Sequence, residues 1–230
     1  YSFSDADISA ALERAVTRGV EVRFIFETAR EDQSLTSNDL ETSKSGKLET
    51  MGVNVRYINK IMHHKFVLID GPRDAIAQAD TTTLVTGSGN WSASAATEFD
   101  ENTLFVSEVP ELALRFQREF NFMWEHSKDL VYDDTLAFEL SSAAIGEAEL
   151  LASDEHDIDL RLTSANFSAS TDTFRLVTGR SDVADALVAS IESATESIHI
   201  ASGHLRSRPV SEALIAKAKA RPDLDIRVYL

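Results

Sequence analysis

The sequence predicts an α/β protein. Two observations carry that expectation. Amphipathic helical patterns are followed again and again by short apolar strand patterns, and one such helix–strand unit occurs near both ends of the chain. With 230 residues, 43% of them hydrophobic, there is enough chain to bury a real core.

The first unit covers residues 8–26, ISAALERAVTRGVEVRFIF. Ile8, Ala11, Leu12, Ala15 and Val16 share one helical face, Ser4 or Asp5 suits the N-cap, and Gly19 suits the exit. Val20, Val22, Phe24 and Phe26 then form a strand. Residues 28–50 are polar and read as an exposed loop, with a short strand at Val53–Tyr57. Strands are predicted at Lys65–Asp70, Thr83–Ser88 and Thr103–Val106, the first a continuous apolar run of the kind buried on both faces. Pro110 opens a helix to His126 with Leu112, Phe116, Phe120 and Met123 or Trp124 on one face. Residues 127–172, acidic and Ser-rich, read as a linker or irregular connection. Beyond them come a strand at Phe174–Thr178, a helix at Asp182–Ala194, a strand at Ser197–Ala201, a helix at Val210–Ala220 and a strand at Leu224–Leu230. Residues 210–230 repeat the pattern of 8–26, with Val210, Ser211, Ala213 and Leu214 matching Ile8, Ser9, Ala11 and Leu12.

Composition limits the function classes. A net charge of −16 lacks the basic field of a non-specific nucleic-acid binder. With no cysteine, disulfides and thiolate metal sites are excluded and redox compartment is left open. No apolar run approaches the length of a membrane span. The location carried forward is extracytoplasmic, periplasmic or secreted.

The chemistry concentrates in MHHKFVLID (62–70), GSGN (87–90) and DEN (100–102). The spacing H-x-K-x4-D, here His63, Lys65 and Asp70, arises by chance in on the order of one chain in a hundred of this composition. A following G-S-x-N makes coincidence far rarer. Residues i and i+2 of a strand share a face, so His63 points with Lys65, and Ser88 with Asn90. An imidazole, an ammonium, a hydroxyl and an amide thus converge. Lys65 and Asn90 suit a phosphoryl oxygen, and His63 supplies a nucleophilic or proton-transferring nitrogen. Asp70 falls on the opposite face and anchors the strand end. Asn90 alternatively forms a tight turn, and Glu101 alternatively sits at a solvated strand edge.

These residues resemble the HKD motif of the phospholipase D superfamily, and the stretch from MHHKF to FQREFNFMWE is similar to its branch of small bacterial endonucleases and mitochondrial phospholipase D-like hydrolases. The resemblance implies a β-sheet flanked by helices in two pseudo-symmetric lobes: 1–126 as the first lobe with its HKD motif, 127–172 as an acidic connecting segment and 173–230 as the start of the second lobe. It implies a phosphodiesterase working through a phosphohistidine on His63, with Lys65, Ser88 and Asn90 binding the phosphate. Glu101 would orient His63, and no metal or cofactor would be needed. A phospholipid is the favoured substrate because of the acidic balance; a nucleic acid and a non-catalytic binding lobe are the alternatives. Two departures stand out. Gly71–Thr86 is longer than the family's connection and reads as a hairpin loop able to shape the pocket. There is also no second H-x-K, so a second HKD-bearing segment or chain is expected to complete the site, as in a piece of a longer two-repeat protein. Among the other histidines, His64 reads as packing, His126 as a helix-end residue, His156 as exposed and His199 as a strand residue. By the repeat, His204 should lie near an active site.

Overall fold

The computed structural model describes residues 3–27, 43–58, 62–129, 139–151, 158–170, 173–177 and 182–230. The chain divides into two compact units, Tyr1–Leu160 with Ala169–Arg175, and Arg161–Ser168 with Leu176–Leu230.

The larger unit opens with α1 (Ala6–Thr17), capped by Asp5, whose carboxylate accepts from the amides of Asp7 and Ile8 at 2.9 and 3.0 Å. Gly19 leaves the helix at φ +86°, the left-handed conformation glycine adopts without a Cβ penalty. Ile8, Leu12 and Val16 pack on a core of Phe3, Leu48, Val53 and Val55. Next comes β1 (Arg23–Glu27), parallel to β2 (Asn54–Ile58). The polar stretch before β2 is not loop throughout. Residues Lys44–Thr50 form α2, capped by Ser43 and anchored by Leu48 at 1% exposure. One apolar side chain and one buried serine, Ser45 on the Tyr57 hydroxyl, hold it, too little signal for composition to register. Residues 28–42 of that stretch lie outside the described residues.

A second sheet is the antiparallel meander β3 (Phe66–Ile69), β4 (Thr83–Gly87) and β5 (Thr103–Ser107). Phe66, Leu68, Leu84 and Val106 pack against Leu112 and Phe116 of α4 (Pro110–Glu125), which begins on its proline. The expectation that β3 is buried on both faces is corrected. Its opposite face stays largely open, with Ile69 48% and, across the sheet, Phe105 75% exposed. A continuous apolar run shows two apolar faces, not two covered ones.

The long connection between β3 and β4 is also corrected. Ile76–Thr81 winds into a 3-10 turn whose Ala79 is buried against Ala113, Leu114 and Ile145. It joins the far end of the hairpin from His63 and Ser88, so it packs on α4 instead of shaping a pocket around them. Past α4, the stretch read as an irregular connection holds β6 (Lys128–Asp129), antiparallel to β2, and α5 (Ser142–Leu151). Ile145 of α5 is fully buried, Asn121 of α4 donates to the carbonyl of Leu140 at 2.9 Å, and Glu125 accepts from the amide of Ser142 at 2.7 Å. An acidic, serine-rich composition hid a helix whose hold rests on a few buried contacts.

A two-stranded sheet of β7 (Phe167–Ser170) and β8 (Thr173–Leu176) follows. The smaller unit is built from α6 (Asp182–Ser193), β9 (Ser197–Ala201), α7 (Arg208–Ala220) and β10 (Asp225–Tyr229). Strands β9 and β10 are parallel, as a connection through a helix requires, and Ile198, Ile200 and Ile226 pack on Ile191, Val210 and Leu214. Both copies of the sequence repeat thus fold as helix followed by strand, α1 into β1 and α7 into β10.

Candidate active site at the open end of the hairpin

Strand β3 begins just after Lys65 and β4 ends just before Ser88, so the H-x-K segment and the G-S-G-N turn meet at one end of the hairpin. The ladder pairs Phe66 with Thr86 and Gly87 with Thr103. Continued past the strand ends, it sets His63 across from Gly89 and Gly89 across from Glu101. The glycines here permit close approach. A Cβ on Gly87 would lie 2.1 Å from the carbonyl oxygen of Asn102, and one on Gly89 would touch the Glu101 side chain at 3.5 Å.

His63 is exposed, and the Lys65 ammonium lies 2.9 Å from its Nδ1 and donates to its carbonyl at 2.8 Å. Burial, then the neighbouring Lys65 charge, holds the His63 imidazole below its ordinary range, partly offset by Glu27. Burial likewise pulls Lys65 below the usual lysine range, with the Glu101 carboxylate acting against it.

Ser88 is the hub of the other half. Its hydroxyl donates to Glu101 at 2.5 Å and accepts from the amide and side chain of Asn102 at 3.0 and 3.2 Å. Regular ladder parity would turn Ser88 toward His64, away from His63; because β4 ends at Gly87, the turn swings the hydroxyl over to Glu101. Simple i, i+2 parity therefore does not explain this convergence. Glu101 takes its hydrogen bond from Ser88, and it is Lys65 that occupies Nδ1 of His63. Asn102 has no place among the sequence-predicted site residues; its only mark in the sequence is its position directly after Glu101.

Asn90 stands apart. Among the described residues its Oδ1 is buried without a hydrogen-bond partner. A buried amide oxygen left unpaired costs about 1–3 kcal/mol, and a half-turn of the amide presents a donor at the same spot. Asp70 sits at φ +55° after β3, and its carbonyl, not its carboxylate, accepts from Thr82 at 3.2 Å.

Of the remaining histidines, His126 packs edge-on against Phe122 and Phe174, and His199 pairs with Asp225 at 3.1 Å on an exposed strand face. His204 is exposed in the smaller unit, and His156 lies outside the described residues. Trp91 packs on Phe3 and Phe24, while Trp124 is buried under the guanidinium groups of Arg23 and Arg56.

The end of this sheet thus presents a His–Lys pair beside a Ser–Glu pair, a set of charged and polar groups able to meet an anionic oxygen. The family model "Cardiolipin synthase, PLD-like domain" matches residues 1–124, which include each of these groups, and the chain belongs to this phospholipase D-like family. A mitochondrial cardiolipin hydrolase of Danio rerio is 35% identical over 130 residues, 55% of this chain and 49% of that protein. Its counterpart in Chlamydomonas reinhardtii is 32% identical over 56% of this chain and 50% of its own length. The chain thus spans about half the length of these relatives. Nuc of Salmonella typhimurium, a phospholipase D family member of solved structure, is 24% identical over 57% of this chain and 78% of its own, with a TM-score of 0.44. The expected periplasmic or secreted location is corrected by these relatives, which are named as mitochondrial proteins and not as extracytoplasmic ones. Among the described residues no helix is long and apolar enough to cross a membrane.

Proposed function

We propose that this chain carries one half of the active site of a phospholipase D-type phosphodiesterase, with a phospholipid as substrate. The observation that carries the reading is the His63–Lys65 pair set beside Ser88–Glu101 on an uncovered sheet end, within the region that matches the family. His63 attacks phosphorus through Nε2, a P–N bond forms, and the P–O bond to the leaving alcohol breaks. Water then attacks the phosphohistidine, the P–N bond breaks, and the phosphoryl group leaves on oxygen. Nucleophilic Nε2 must be free of a proton, which places the proton on Nδ1. Lys65 now holds Nδ1, so it has to release it. An anionic phosphate entering beside Lys65 is the natural competitor, and its arrival frees the imidazole as it fixes the ammonium. Glu101, held by Ser88, acts against the burial that lowers the Lys65 pKa, and in this reading Asn90 supplies a further polar contact to the phosphate.

Protonating the leaving alcohol calls for a second acid. In this reading a second HKD-bearing segment or chain supplies it, and residues 173–230 begin the second lobe, after the first lobe at 1–126 and the connection at 127–172. A phospholipid is preferred to a nucleic acid because the net charge is −16 and because Val67, Val85 and Phe105 form an apolar row on the same sheet face as Lys65. The test is turnover of a phosphatidyl lipid, single-stranded DNA and bis-p-nitrophenyl phosphate by the protein. Preference for the lipid supports the reading. Preference for DNA makes it a nuclease, and inertness toward all three with the second HKD-bearing segment or chain present makes it a binding lobe.

A further inference from the structure

Helix α4 presents Phe116, Glu119, Phe120 and Met123 at i, i+3, i+4 and i+7, the spacing of a single core-facing stripe. Three of these four are apolar. The fourth is a carboxylate, and its side chain is only 5% exposed. Burying a carboxylate costs several kcal/mol unless it is paired, so its presence in this stripe demands a partner. Two other buried polar groups of α4 hold nearby chain: Gln117 donates to Asn121 at 2.7 Å, and Asn121 to the carbonyl of Leu140. Glu119 reaches elsewhere. Its Oε1 lies 3.2 Å from Nε2 of His64, the residue between Met62 and Lys65 that directly follows His63.

The His64 ring is fixed from two sides, by Glu119 and by an edge-on contact with Phe66 at 5.5 Å, and Phe66 itself stands edge-on to Phe116 at 5.0 Å. An ionised carboxylate only accepts, so with Glu119 as acceptor Nε2 of His64 is the donor in this contact. Residues 62–65 have no strand ladder of their own, since β3 begins at Phe66. Side-chain anchorage is therefore what fixes the peptide from which His63 and Lys65 project. His64 was read from sequence as packing alone; the structure adds the carboxylate behind it.

We propose that Glu119 is a positioning residue of the His63–Lys65 site, acting through the His64 imidazole. The inference rests on the phosphodiesterase reading for its effect on turnover, and on geometry alone for its effect on the His63 ring. Three variants of the protein separate positioning from stability. Glu119→Ala removes the acceptor. Glu119→Gln keeps an oxygen that accepts from Nε2. Glu119→Leu removes the acceptor but fills its space with an apolar group of similar size, so loss of the contact is separated from loss of packing. Displacing a reacting group by about 1 Å costs up to about 100-fold in rate. The expected result is a fall of about 10- to 100-fold in kcat for Ala and Leu with KM little changed. Gln should retain most of the turnover, and the nitrogen NMR signals of the His63 ring should move in Ala and Leu but not in Gln. The ring signals need no substrate, so they report even if the protein cleaves no diester. Unchanged His63 signals in the Leu variant, with kcat per folded molecule as in the parent, would overturn the proposal whatever happens to the melting temperature.

Discussion

The two faces of the β3–β4–β5 sheet are built from alternate residues of the same strands, yet they do different work. On one, Phe66, Leu68, Leu84 and Val106 close against α4, and Leu84 is 1% exposed. On the other, Val67, Val85 and Phe105 form a row that α4 does not cover, and the next row toward the hairpin's open end begins with Lys65. The closed face derives its energy from dehydration and packing, the open one its chemistry from accessibility. The difference shows how a site can sit on a strand without weakening it: the residues that stabilise β3 and those proposed to react at its end point to opposite faces.

The comparison breaks most visibly at His63. His63→Ala should lower turnover by at least roughly 1,000-fold, as loss of a nucleophile does, and leave the melting temperature near that of the parent because the side chain is exposed. In the active protein the acid limb of kcat/KM should fall below pH ~6.5, because burial and Lys65 hold the His63 pKa down and the unprotonated ring is the reactive one. Parental activity in the alanine variant would take the nucleophile away from His63.

A smaller loss is expected from the Ser88–Glu101 pair. Glu101→Gln and Ser88→Ala should each reduce kcat, with little change in KM, and the double variant should lose much less than the product of the two, since both act on one hydrogen-bonded unit. Strict additivity would mean that Ser88 does not work through Glu101. On the closed face the effect turns from rate to stability. Leu84→Ala should cost about 2–5 kcal/mol in denaturant unfolding while kcat per folded molecule stays close to the parent's. A large kcat effect there would show that the two faces are coupled.

In the candidate site the closeness of His63 and Lys65 was legible because its signal is local: the two lie two residues apart, and their side chains meet. Glu101 was legible as a residue but not in its contact: its bond to Ser88 depends on where β4 stops, and no periodicity marks that point. Glu119 was hidden differently. It sits in an apolar stripe that identified the helix correctly, and a single charged residue in such a stripe is readily taken for tolerance until its partner is seen. The strands and long helices followed their patterns, with ends shifted by up to three residues. What composition concealed were elements anchored by one or two buried side chains, α2 by Leu48 and α5 by Ile145.

In the proposed mechanism His63 becomes covalently bonded to phosphorus. The direct measurement is rapid acid-free quenching of the protein with a phosphatidyl lipid or bis-p-nitrophenyl phosphate, followed by peptide mass spectrometry under conditions that preserve phosphohistidine. The expected result is a phosphoryl adduct on the peptide containing residues 62–65, located to His63 and absent from the His63→Ala variant. Turnover with no adduct on that peptide, or with the adduct on another residue, would contradict it.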